Sequence, residues 1–189
     1  LLVLGQVGMA QQRVVLIEQF TNSSCPPCGA VSPSVYAYAN ASGGQAVVIA
    51  YHTLFPYNND SMYFENTVEA TQRVNYYMVQ SVPYSVMDGN IYSGSSNPFV
   101  SGMAGYVENR LGVSPQYSID AGSLLLNGGV LSGNLQFVST YSNNVALNLV
   151  AHVVVIEKNV LKSAYAASLG ANTETEYGYV MRKMLPDAS

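Results

Sequence analysis

The stretch Val14-Val-Leu-Ile-Glu-Gln-Phe20-Thr-Asn-Ser-Ser-Cys25-Pro-Pro-Cys28-Gly-Ala-Val-Ser-Pro33 carries both cysteines of the 189-residue chain. Val14 to Phe20 is an apolar run that reads as a strand, and Thr21 to Ser24 read as a short polar turn. A helical pattern then continues through Val31, Val35 and Tyr38. The cysteines therefore sit where a helix begins. A first helical turn presents free N–H groups and the positive end of the helix dipole, so a thiolate there is stabilised and its pKa falls. Pro26 and Pro27 suit that turn, where a missing N–H costs little. Cys25 and Cys28 are close enough in sequence to close a small disulfide.

These residues resemble the thioredoxin-like superfamily. Pro27 stands just before the second cysteine, Pro33 lies five residues after it, and Phe20 lies five residues before the first. More narrowly, Ile17-Glu-Gln-Phe-Thr21 and Ile49-Ala-Tyr-His52 are similar to the thioredoxin-like outer-membrane proteins of Bacteroidetes-type bacteria, the Omp-twenty-eight-related family. The chain departs from the superfamily pattern at two places. Ser24 replaces the tryptophan often found before the first cysteine, and Gln19 replaces a buried acid. The resemblance implies that Cys25 attacks a partner disulfide and that Cys28 resolves the adduct. It also implies that Pro83 packs beside the sulfurs in a cis peptide bond, and that the Val82 backbone pairs with an extended substrate.

Composition narrows the class. Hydrophobic residues make up 49% of the chain, ample for a packed core, while charged residues are only 10%, well below the usual quarter. A surface rich in Tyr and Asn in place of charge reads as extracytoplasmic. Lys and Arg number 7 without a cluster, and the net charge is −4, which argues against nucleic acid as a partner. No apolar run is long enough to span a bilayer. Residues 1–10 read as a signal-peptide remnant: Leu1-Leu-Val-Leu4 is apolar, and Gly8-Met-Ala10 has small residues at the −3 and −1 positions of a cleavage site. The alternative is a short buried strand. Export would place the cysteines in an oxidising compartment.

Along the chain, Gly43-Gly44 should close the Cys-bearing helix, and Gln45 to His52, with its apolar run Ala46-Val-Val-Ile-Ala50, reads as a central parallel strand. A single helix is expected from about Met62 to Val79. Ser85 to Met87 and Ile91 to Ser93 should pair around Asp88-Gly89, and Asn97-Pro98 should open a helix that Gly112 closes. Residues 11–112 thus form an α/β, thioredoxin-like βαβ-α-ββα domain. From Val113 the pattern changes to strands over 116–121, 130–140 and 145–157, broken by Asn127-Gly-Gly129 and Ser142-Asn-Asn144. Residues 113–189 are expected to form an incomplete antiparallel β-sandwich domain.

The chemistry centres on Cys25 and Cys28, with Pro83 beside them and Pro27, Val82 and Glu18 in support. Cys25 is expected to be the accessible thiol and Cys28 the shielded one. Glu18 shares a strand face with Leu16 and Phe20 and is a candidate proton relay in place of the acid missing at Gln19; the alternative is a surface glutamate. His52 ends a central strand, where catalytic groups often gather, or is simply a satisfied core histidine. His152 reads as a packed strand residue. Two cysteines and two histidines without paired spacing give no zinc site, and a copper site lacks a third ligand. The expected function is an exported thiol–disulfide oxidoreductase acting on exported proteins, with no cofactor beyond its own dithiol. The alternative is a non-catalytic, outer-membrane-associated or surface binding protein whose disulfide is structural. A four-residue loop makes a weak entropic staple, which favours the first.

Overall fold

A computed structural model describes residues 12–139, 150–165 and 172–186. The signal-remnant expectation at residues 1–10, and the first part of the strand expected from Val145, lie outside them.

The first described elements are strand β1 (Val15–Thr21), helix α1 (Pro26–Ala41) and strand β2 (Ala46–His52). β1 and β2 run parallel in register, from Val15 opposite Ala46 to Thr21 opposite His52. Helix α1 forms where it was expected. Prolines occupy its first two positions, and Val31, Val35 and Ala39 recur at four-residue spacing and are buried. Each such valine contributes roughly 1.5–3 kcal/mol by leaving water. Gly43 and Gly44, at φ of 63° and 87°, turn the chain out of the helix.

Residues 61–76 form two helices in place of the single one expected, α2 (Ser61–Glu65) and α3 (Thr67–Tyr76). Asn66 breaks them with φ −151°. Its side chain caps α3 by accepting the Glu69 N–H, and its amide group donates to the Arg182 carbonyl at 3.0 Å. Strands β3 (Tyr84–Met87) and β4 (Tyr92–Ser95) pair antiparallel, and β3 also pairs with β1. Helix α4 (Ser96–Leu111) begins two residues earlier than read, with Ser95 as its cap.

The described part of residues 113–186 departs from the expected β-sandwich. Strands β5 (Tyr117–Asp120) and β8 (Gln136–Ser139) pair with each other, as do β6 (Leu125–Asn127) and β7 (Val130–Ser132) around Gly128 and Gly129. Strands β9 (Val153–Leu161) and β10 (Glu176–Leu185) instead join the main sheet, whose order is β4-β3-β1-β2-β10-β9. Strand β10 lies beside β2 with Val180 opposite Ala50. The physical reason is burial: Tyr177, Val180, Met181 and Met184 of β10 are all core residues, and they supply apolar cover that β2 would otherwise lack. Gly178 is required for this docking, because a Cβ there would stand 2.8 Å from the Tyr36 ring of α1.

The sheet is covered on both faces. Val15, Ile17, Val48 and Met87 meet α1 and α4 through Val31, Val35, Phe99, Met103 and Val107. On the other face Phe20, Tyr51, Met181 and Met184 meet Ala70 and Val74 of α3. The result is a three-layer α/β arrangement with the Cys-bearing turn at the end of β1.

Candidate functional site

Cys25 is the N-cap of α1, in extended conformation at φ −86° and ψ 111°. Its sulfur accepts the Cys28 N–H at 3.3 Å, and its carbonyl accepts the Cys28 and Gly29 N–H groups at 3.1 and 3.4 Å. Cys25 and Cys28 are joined as a disulfide with their Cα atoms 5.3 Å apart. The Val82–Pro83 peptide bond is cis, as the resemblance implied, and the Val82 carbonyl oxygen lies 3.7 Å from the Cys25 sulfur. Cys25, Cys28 and the Val82 carbonyl are thus brought together, with Pro83 next to Val82 in the chain. Pro26 and Pro27 are exposed at the rim.

Exposure differs from the expectation. Cys25 is 1% exposed and Cys28 is fully buried, so neither sulfur stands open to solvent. The turn before Cys25 is itself buried and held by hydrogen bonds. Asn22 donates to the Thr53 and Tyr57 carbonyls at 2.7 and 2.8 Å, Ser24 donates to Asn59 at 2.6 Å, and the Ser23 N–H meets Asp60 at 2.7 Å. These bonds fasten the turn to residues 53–60.

Glu18 is buried, and its carboxylate is occupied. Arg73 forks onto it with bonds of 2.6 and 2.7 Å, and the Tyr77 hydroxyl donates at 2.6 Å. Gln19 faces the other way, where its amide oxygen accepts the Ser85 hydroxyl. Near the start of β1 a cavity of about 650 Å³ is lined by Arg13, Glu18, Arg73, Asp88, Arg110 and His152, away from the cysteines. Asp88 pairs with Arg13 and Arg110 there, as Glu18 does with Arg73. His152 is exposed and precedes β9, a correction to the packed strand residue expected.

A polar cluster behind the turn was missed by sequence reasoning, His52 excepted. His52 Nδ1 lies 2.8 Å from Asp60 Oδ2, and its ring meets the Tyr177 ring edge-on at 5.6 Å between centroids. Asn172, from the segment before β10, donates to Glu174 at 2.6 Å and to the Asn22 carbonyl at 3.4 Å, and accepts from the Tyr177 hydroxyl at 3.3 Å. Burial alone would raise the Asp60 carboxyl; His52, by charge and hydrogen bond, and the Ser23 and Tyr63 N–H groups more than offset this and hold it low. At Glu174 burial outweighs the lowering effects of His52 and Asn172 and pushes the carboxyl up to about 7. Among the described residues no group of three or more His, Cys, Asp or Glu side chains has the arrangement of a metal site.

No family model matches the chain, and no curated protein matches it. A crystal structure of protein AGR_C_4864 from Agrobacterium tumefaciens is similar, with a TM-score of 0.54 and 16% sequence identity. The similarity covers 93% of this chain and 73% of that one, so it takes in C-terminal strands as well as the Cys-bearing unit. At that identity it speaks to fold alone.

Proposed function

We propose that this chain is an exported, thioredoxin-like thiol–disulfide oxidoreductase, related to the Omp-twenty-eight-type proteins, whose redox group is Cys25–Cys28. The observation that carries the reading is the Cys25 sulfur at the N-cap of α1, accepting the Cys28 N–H at 3.3 Å. In the reduced protein that N–H and the helix terminus would stabilise a Cys25 thiolate. The thiolate attacks one sulfur of a partner disulfide, and the partner's other sulfur leaves as a thiolate. Cys28 then loses its proton and attacks Cys25, releasing the partner's second thiol and closing the Cys25–Cys28 disulfide. The reverse sequence oxidises a partner dithiol. Pro83 and the Val82 carbonyl, 3.7 Å from the Cys25 sulfur, supply the wall against which an extended partner segment would lie. No cofactor beyond the dithiol takes part.

A second reading rests on one observation: both sulfurs are buried, Cys25 to within 1%. In it the protein is a non-catalytic binding module of the outer membrane or cell surface, and the disulfide clips the turn to α1. The Cys25 pKa in the reduced protein separates the two. Thiolate absorbance in the ultraviolet should give a midpoint within the range of about 3.5–7.5 reached by reactive cysteines. A midpoint at or above about 8.5 would favour the structural disulfide.

A further inference from the structure

Glu174 is a buried acid with an incomplete shell. It is 5% exposed, and among the described residues only Oε2 has a hydrogen-bond partner, Asn172, while Oε1 has none. Ser23 Oγ and His52 Nε2, in the same cluster, are buried and likewise have no partner among the described residues. The groups that act on this carboxyl come from every element packed around it. His52 belongs to β2, Asp60 to the loop before α2, and Tyr36 to α1. Tyr177 belongs to β10, and Lys162 to the short turn after β9, where its ammonium donates to the Asn172 carbonyl at 2.8 Å. Burial dominates and disfavours the charged form; Asp60 acts in the same direction, while His52, Asn172 and Lys162 act against it.

Two short routes join Glu174 to the cysteines. Thr173 lies against Gly29, the residue after Cys28, so closely that a Cβ there would stand 2.9 Å from its hydroxyl oxygen. Asn172, which holds Glu174, donates to the Asn22 carbonyl, and that same oxygen accepts the Cys25 N–H at 3.1 Å. The sequence placed the acid of this site on β1; the fold delivers one from beyond residue 170, on the segment that leads into β10.

We propose that Glu174 is a positioning residue for the Cys25–Cys28 couple, a carboxyl whose proton is coupled to the charge on the Cys25 sulfur. The inference rests on the oxidoreductase reading. When a partner dithiol reduces the disulfide, its two electrons break the sulfur–sulfur bond and the partner closes its own disulfide. One of its two protons ends on Cys28. Cys25 remains a thiolate, and the second proton is taken up by the Glu174 carboxylate, so the buried site gains no net charge. The Cys25 thiolate and the Glu174 carboxylate disfavour each other, and linkage makes the effect reciprocal.

The test is the Glu174 titration in the full-length protein, carrying carbon-13 at its glutamate carboxyls, in the oxidised and the reduced state. The Glu174 resonance is assigned by its loss in Glu174→Gln; should that variant not fold, Glu174→Asp removes the same signal and keeps an acid. In the reduced protein the midpoint should lie at least about half a pH unit higher, roughly a threefold gain in proton affinity. Equal midpoints in a protein whose Cys25 absorbs as a thiolate at pH 7 would overturn the coupling and leave the oxidoreductase reading intact. If Cys25 titrates as an ordinary thiol, the oxidoreductase reading fails and the coupling falls with it.

Discussion

His52 Nδ1 lies 2.8 Å from Asp60 Oδ2, and that same carboxylate oxygen accepts the Ser23 N–H at 2.7 Å. One buried side chain thus ties the end of β2 to the turn that leads into Cys25. The other Asp60 oxygen accepts the Met62 and Tyr63 N–H groups at 3.0 and 3.1 Å and caps α2. Asp60→Ala removes the cap and leaves His52 and the Ser23 N–H buried without partners. The expected loss is about 3–4 kcal/mol in urea unfolding. A loss under about 1 kcal/mol would mean that this carboxylate does not organise the turn.

Glu174 should give stability the opposite pH dependence from Asp60. Its folded-state pKa, about 7, is above the unfolded value of 4.5, so the fold binds the proton more tightly than the unfolded chain. Its contribution is fully present below pH 4.5 and is lost as pH rises through about 7, on the order of 3 kcal/mol. Asp60, held below its ordinary value, contributes above that value and loses its contribution as pH falls through its folded pKa. Glu174→Gln should therefore gain stability relative to the parent between pH 5 and pH 8. Parallel urea curves for the two proteins across that range would contradict the account.

Arg73 neutralises Glu18, which is 1% exposed. Arg73→Met leaves that carboxylate buried with only the Tyr77 hydroxyl and should cost about 3–5 kcal/mol. Adding Glu18→Leu should restore most of the loss, because the unpaired charge is then gone. A double variant no more stable than Arg73→Met would show that the pair is not what holds α3 to β1.

Gly29→Ala tests the clamp between α1 and the segment before β10. The new methyl would stand 2.9 Å from the Thr173 hydroxyl oxygen and 3.0 Å from its backbone nitrogen, and backbone yields less readily than a side chain. The expected cost is about 1–3 kcal/mol, together with faster reduction of the disulfide by dithiothreitol. An unchanged reduction rate would place the cover of the sulfurs elsewhere.

Local patterning made the Cys-bearing unit legible. β1, α1 and β2 are contiguous, and prolines and glycines mark their ends. The cis bond at Pro83 followed from the resemblance, not from the pattern. β10 was not legible, because its buried residues do not alternate. Tyr179 takes a positive φ of 57°, and the register shifts between Met181 and Lys183, so Val180 and Met181 are both buried. Its charged residues also look like surface in sequence; Arg182 and Lys183 find Glu65 and Glu69 more than 110 positions away. Asp60 carries only the local signal of a helix cap before Ser61, and Glu174 carries none. Their nearness to Cys25 is made by the sheet order, which a single sequence does not display. For Glu18 the strand pattern left burial and surface both open, and its partners Arg73 and Tyr77, on α3 and at its end, carry no signal near β1.

Cys25 is expected to react with partner sulfur, and Cys28 to resolve the product. The most direct measurement incubates reduced Cys28→Ser protein with a disulfide-bonded protein such as insulin and resolves the products on a non-reducing gel. A mixed disulfide through Cys25 should form and persist, because the resolving thiol is gone, and should collapse on reduction. Cys25→Ser should trap none. A folded Cys28→Ser protein that forms no adduct would contradict the account and leave Cys25–Cys28 as a buried structural disulfide.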